Sequence, residues 1–235
     1  MDNGTISTDF AKMGIGVVGS LQDNRLFGGA LTISLPPLFV DMSNFRQLSD
    51  TQECWADAST DQSIVVEILA HDDEVADTEC AAFYWEDIAE CNDADAADDS
   101  VITSPSKEVT SEMSDLFSGA PDSTVAAPSC WILSGVQGVA KFKDAAKNTV
   151  VVHVAVIRLP CVDSDIVLHY NQPLAINEES SSAVVANATP TGTAEQGAEL
   201  FFAMLKSLKV RDWGLFSSPA EEEAGDEGAF VAAAG

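Results

Sequence analysis

The sequence predicts an α/β protein: one α/β/α layered domain over about residues 26–216, with a six-stranded, mainly antiparallel sheet and two principal helices. Three observations carry this. Apolar residues make up 46% of the 235-residue chain, enough to build a core. The run 149–159 is apolar on both faces apart from His153, as a central strand covered from each side should be. Two segments, 74–90 and 198–208, repeat apolar side chains at three- and four-residue spacing, the signature of helices with one buried stripe.

Taken in order, the run 26–35 reads as a strand ended by Pro36-Pro37, with Gly28-Gly29 marking a bulge or a close backbone approach. Asp41 or Ser43 caps a short helical turn. Residues 52–56 and the β-branched run 63–69 are the next strands. The first helix presents Val75, Cys80, Phe83, Tyr84, Asp87 and Ile88. An acidic, Ser/Thr/Pro-rich stretch at about 92–127 follows and is expected to be a flexible insertion without structure. Strands at 130–140, 149–159 and 165–171 come next. The link 160–163 is too short for a crossover helix, so the last two form an antiparallel hairpin. After a polar loop, Ala198, Phe201, Leu205 and Leu208 mark the inner stripe of the final helix. Residues 1–25 and the Glu-rich 217–235 are expected to be disordered extensions.

Charge narrows the function classes. With 38 Asp+Glu against 11 Lys+Arg, the formal charge is −27. Phosphate is held by Lys and Arg, so nucleic acid is excluded as a direct partner, and an anionic membrane surface is disfavoured for the same reason. No apolar run reaches the length of a membrane-spanning helix. The favoured partners are cations or basic protein surfaces. Cys54, Cys80, Cys91, Cys130 and Cys161 are widely spaced, with no C-x-x-C pair, and read as free, mostly packed thiols rather than a metal site or disulfide framework. Ser134-Gly135 lacks a nucleophile elbow, Gly28-Gly29 is no phosphate loop, and Cys54 has acidic neighbours in sequence that would raise its thiol pKa. No catalytic residue, cofactor or metal is expected.

Between Arg46 and Lys107 there is no Lys or Arg. Most acids in that interval read as a solvated surface. Asp50 and Glu53 differ, because they flank the start of a strand and could present two carboxylates to a partner without much ordering entropy. Turn chemistry, with Asp50 bonding local backbone N–H groups, accounts for the same pattern. An acidic adaptor gripping a basic protein and a cation-buffering protein are both compatible with this reading.

The ordered segments together resemble the Ran guanine nucleotide release factor family. The resemblance rests on Leu26-Phe27-Gly28-Gly29-Ala30, Leu48-Ser49-Asp50-Thr51-Gln52-Glu53, Ser63-Ile64-Val65-Val66-Glu67-Ile68-Leu69 and Phe83-Tyr84-Trp85-Glu86-Asp87-Ile88. It continues in Val154-Ala155-Val156-Ile157-Arg158-Leu159, Asp165-Ile166-Val167-Leu168, Asn171-Gln172-Pro173 and Leu215-Phe216. It implies a six-stranded antiparallel sheet between helices, a fold shared with an extrinsic subunit of the photosynthetic oxygen-evolving complex. It further implies binding of the small GTPase Ran, release of its guanine nucleotide and support of nuclear protein import; the free thiols and the weak N-terminal signal point to nucleus and cytoplasm, and a monomer is expected. The acid pair of the D-T-Q-E turn, here Asp50 and Glu53, is implicated in contacting Ran. The acidic insertion, the N-terminal extension and the tail depart from the family pattern.

Overall fold

The computed structural model describes residues 21–94, 99–122, 126–140, 146–180, 183 and 192–216. Among these, the chain runs β1 (Gln22–Leu26), β2 (Leu31–Leu35), β3 (Val40–Asp41), β4 (Gln52–Asp57), β5 (Gln62–Ala70) and α1 (Asp77–Cys91). It continues as β6 (Ser100–Glu108), β7 (Ser129–Ala140), β8 (Lys147–Leu159), β9 (Ser164–Ala175), α2 (Ala194–Ser207) and β10 (Lys209–Val210). Residues 1–20 and 217–235 of the expected extensions, and 95–98 and 123–125 of the expected insertion, lie outside the described residues. Among the described residues no helix is long and apolar enough to cross a membrane.

Two antiparallel sheets replace the expected six-stranded one. Seven strands pair in the order β3-β4-β5-β9-β8-β7-β6, and a small sheet has the order β1-β2-β10. The run 26–35 splits because Phe27, Gly28 and Gly29 all take positive φ, at 48°, 66° and 104°. Three successive left-handed residues reverse the chain, so Gln22–Leu26 folds back on Leu31–Leu35 with Leu26 opposite Leu31. Order therefore begins before residue 26. The stretch 92–127 also differs from expectation. Its Ser100–Glu108 portion forms the edge strand β6 against β7, through two register shifts. Most of its side chains are exposed, so the strand carries no apolar alternation, while Pro105, Lys107 and the irregular register blunt the free edge. Val109, Met113 and Leu116 then bury themselves in the core.

The central hairpin forms as the short link demands. β8 and β9 pair antiparallel from Leu159↔Ser164 to Thr149↔Ala175, and Asp163 takes a left-handed φ of 50° in the link. Because side chains alternate along a strand, β8 feeds two cores. Val150, Val152, Val154 and Val156 pack with Cys80, Ala81, Tyr84, Trp85 and Ile88 of α1. Ala155, Ile157 and Leu159 pack with Leu200, Phe201, Met204 and Leu205 of α2 and with the small sheet's Leu26, Leu31 and Ile33. His153 sits in the second set, stacked at 5.7 Å from both Tyr170 and Phe201, with its Nδ1 2.8 Å from Ser134 Oγ. Burial pushes its pKa down to about 4, so it is a neutral core side chain near neutral pH.

The helix stripes are rotated slightly from expectation. On α1, Phe83 and Asp87 face solvent and Trp85 is buried instead. Gly135 of β7 makes the room: a Cβ there would stand 2.5 Å from both the Trp85 ring and the Val101 carbonyl. The helix starts at Asp77 rather than Glu74, after Asp72 accepts from the Glu74 N–H at 2.9 Å in a local turn. Thr193 and Gln196 form a reciprocal capping box that starts α2.

Candidate partner-binding edge

Asp50 and Glu53 stand at one end of β4 and have different surroundings. Asp50 is exposed in the turn that enters the strand. That turn is closed by the Gln52 N–H to Ser49 C=O bond at 3.0 Å and by Ser49 Oγ, 3.0 Å from Thr51 Oγ1. The expected local hydrogen-bonding role thus falls to Ser49. Glu53 is half-buried, and its Oε1 accepts the Phe27 N–H at 2.6 Å. The acid therefore ties the left-handed Phe27 turn of the small sheet to the edge region of the large one. Across the β4–β5 ladder Gln52 faces Glu67, whose carboxyl pKa is raised by burial and pulled back by a hydrogen bond from Gln52.

A strap from Leu38 to Arg46 runs back along β4; the sequence predicts its capped turn but not its pairing with β4 or its exposed apolar side chains. β3 pairs with β4 at Val40↔Ala56 and Asp41↔Trp55. The chain then enters a 3-10 turn, Met42–Asn44, whose cap is Asp41: its carboxylate accepts the Ser43 N–H at 2.8 Å. The Phe45 and Arg46 N–H groups both donate to Met42 C=O. Arg46 reaches Cys54 Sγ at 3.5 Å. The Cys54 thiol pKa is raised mainly by burial, with the Arg46 charge opposing, so acidic neighbours are a minor cause of a shift whose direction the sequence gives. Leu38, Val40 and Phe45 leave 55%, 45% and 72% of their surface exposed. All five cysteines are free thiols; Cys54, Cys80 and Cys130 are buried and Cys161 partly so, while Cys91 is exposed.

Residues 24–173, more than half of the chain, match the family described as Ran-interacting Mog1 protein. The chain belongs to this family. A relative from Danio rerio, named Ran guanine nucleotide release factor, is 37% identical over 194 residues, covering 81% of this chain and 97% of that protein. A Dictyostelium discoideum protein, named probable Ran guanine nucleotide release factor, is 31% identical over 84% of this chain and 97% of its own length. The crystal structure of the Saccharomyces cerevisiae Ran-binding protein Mog1p superposes with a TM-score of 0.54 and 26% identity, covering 84% of this chain and all of that one.

In this Mog1-family chain a buried polar cluster lies at the same end of the sheet as the acid turn. Leu69 of β5 pairs with Asp165, two residues beyond the Gln52↔Glu67 pair. Asp165 is fully buried; its carboxylate hydrogen-bonds with His71 Nδ1 at 2.7 Å, accepts from the Tyr84 hydroxyl at 3.1 Å and forms an ion pair with Arg158 Nε at 3.4 Å. Arg158, opposite Asp165 in the hairpin, also donates to Asp72 C=O at 2.8 Å and lies 3.6 Å from Asp77. Burial raises the Asp165 pKa, opposed by the His71 hydrogen bond and the Arg158 charge. Arg158 bonds through Nη2 alone, its buried Nε and Nη1 making ion contacts at most, and the cluster braces the loop between β5 and α1.

Proposed function

We propose that this Mog1-family chain binds the small GTPase Ran, promotes release of its guanine nucleotide and supports nuclear protein import, with Asp50 and Glu53 in the contact. Its resemblance to proteins named Ran guanine nucleotide release factor, spanning nearly their whole length, carries the reading. The exposure of Asp50 on a hydrogen-bonded turn supports the placement. Nucleus and cytoplasm are the compartments this function requires, and a monomer is sufficient for it. The α/β/α layering, with α1 and α2 as outer layers, is our reading of the two cores fed by β8.

The mechanism is linkage rather than covalent chemistry. A small GTPase holding its nucleotide at about picomolar affinity is stabilised by roughly 16 kcal/mol. A release factor binds the loosened state better, and factor and nucleotide then weaken each other by the same ratio. Asp50 pairs with a lysine or arginine near the nucleotide-gripping loops. Glu53, with one oxygen engaged by Phe27, contributes its charge from a fixed position. The negative field around the edge steers a basic surface towards it.

The test is a titration with purified Ran. Asp50→Lys with Glu53→Lys is expected to weaken binding by at least about a hundredfold while the circular dichroism spectrum stays native, since like charges then face each other. Unchanged affinity would place the contact elsewhere.

A further inference from the structure

We propose that Leu38, Val40 and Phe45 form the apolar half of the Ran-docking surface and seat an apolar side chain of the GTPase flanked by lysine or arginine. This rests on the reading of Asp50 and Glu53 as the acidic half.

The three residues lie in one eight-residue segment. Among the described residues, the other large exposed apolar side chains are Phe83, on α1, and Val101 and Ile102, on the opposite edge strand β6. Scattered apolar exposure is ordinary, but a cluster bordered by charge is the usual anatomy of a binding site. Here the strap is held by the β3–β4 pairs, by the Asp41 cap and by two backbone bonds to Met42 C=O, so its apolar groups lose little freedom on being covered.

Geometry joins the strap to the acid turn. β3 is antiparallel to β4, and the chain beyond it runs back beside that strand until Arg46 touches Cys54, the residue after Glu53. The strap then leads directly into the turn carrying Asp50. Asp41, Asp50 and Glu53 therefore share one edge with Leu38, Val40 and Phe45, and Arg46 is the one basic side chain among them, hydrogen-bonded to the Cys54 sulfur. Charge selects the occupant. A second copy of a chain carrying −27 is repelled, as is an anionic bilayer, whereas a basic rim around an apolar knob is complementary. Apolar groups and acids on one edge also divide the labour: the apolar anchors slow dissociation and the charges speed encounter.

The experiment compares Leu38→Ser with Phe45→Ser, singly and together, against Asp50→Asn, in titrations of purified Ran at low and high salt. The apolar variants are expected to lose about tenfold or more in affinity at both salt concentrations, with the salt slope of the parent. Asp50→Asn is expected to flatten that slope. Parental affinity of the doubly substituted chain, with Asp50→Asn still impaired, overturns the apolar proposal and leaves the acid contact standing. If neither class of variant moves the affinity, both fall together. Sedimentation of the chain alone supplies a further check: a dimer abolished by Phe45→Ser assigns the strip to self-association and overturns the proposal.

Discussion

Glu53 has two duties, and they can be separated by chemistry. Its carboxylate accepts the backbone N–H of Phe27, a residue held at a φ of 48° that a phenylalanine seldom adopts. Asp50 sits in a turn that Ser49 already closes. Replacing Glu53 with alanine therefore removes a hydrogen bond to a charged group and lowers unfolding stability by about 1–2 kcal/mol. Glu53→Gln, which keeps an acceptor, costs less than half as much, and Asp50→Ala stays within about 0.5 kcal/mol. Urea denaturation of the three variants checks this ordering, and equal losses for Glu53→Ala and Asp50→Ala would contradict it. The spacing of the two acids at a strand start was legible in the sequence because turn residues and a strand pattern adjoin there. The bond to Phe27 was not, since it joins residues 26 apart and depends on a chain reversal that Gly28-Gly29 only hints at.

At the level of elements, legibility followed length and burial. The long strands β7, β8 and β9 declared themselves through apolar runs, and the two amphipathic helices through periodicity. β3 and β10 are two residues each and too short to carry any period, and β6 is polar because it borders solvent. The strap's turn was legible through its Asp41 cap, but Leu38, Val40 and Phe45 share no period, which is why their exposure escaped notice. The β8–β9 hairpin shows what a correct element reading yields. Its register alone sets Arg158 opposite Asp165, and only folding brings His71 and Tyr84 to the pair. Arg158 and Asp165 side chains are 3% and 0% exposed, so removing one leaves a buried charge without its main counterion. Arg158→Met is expected to cost about 3–5 kcal/mol, and the double variant with Asp165→Leu to recover most of it. Urea unfolding of both variants measures this. A loss below about 1 kcal/mol, or a double variant no better than the single, would show that the pair does not brace this end of the sheet.

For the whole molecule the governing features are the −27 charge and one edge that combines the exposed Asp50 and the half-buried Asp41 and Glu53 with exposed apolar groups. The charge accelerates encounter with a basic partner and loses its influence within about a Debye length, roughly 10 Å at 0.1 M salt. Membership of the Ran-interacting Mog1 family supplies the partner that fits that field. Release of a labelled guanine nucleotide from purified Ran, followed by fluorescence with and without this chain in excess, tests the account most directly. The wild-type chain should speed the loss of fluorescence well above Ran's intrinsic rate, and the variant carrying Asp50→Lys and Glu53→Lys should leave that rate unchanged. An intrinsic rate unaltered by the wild-type chain would contradict the account.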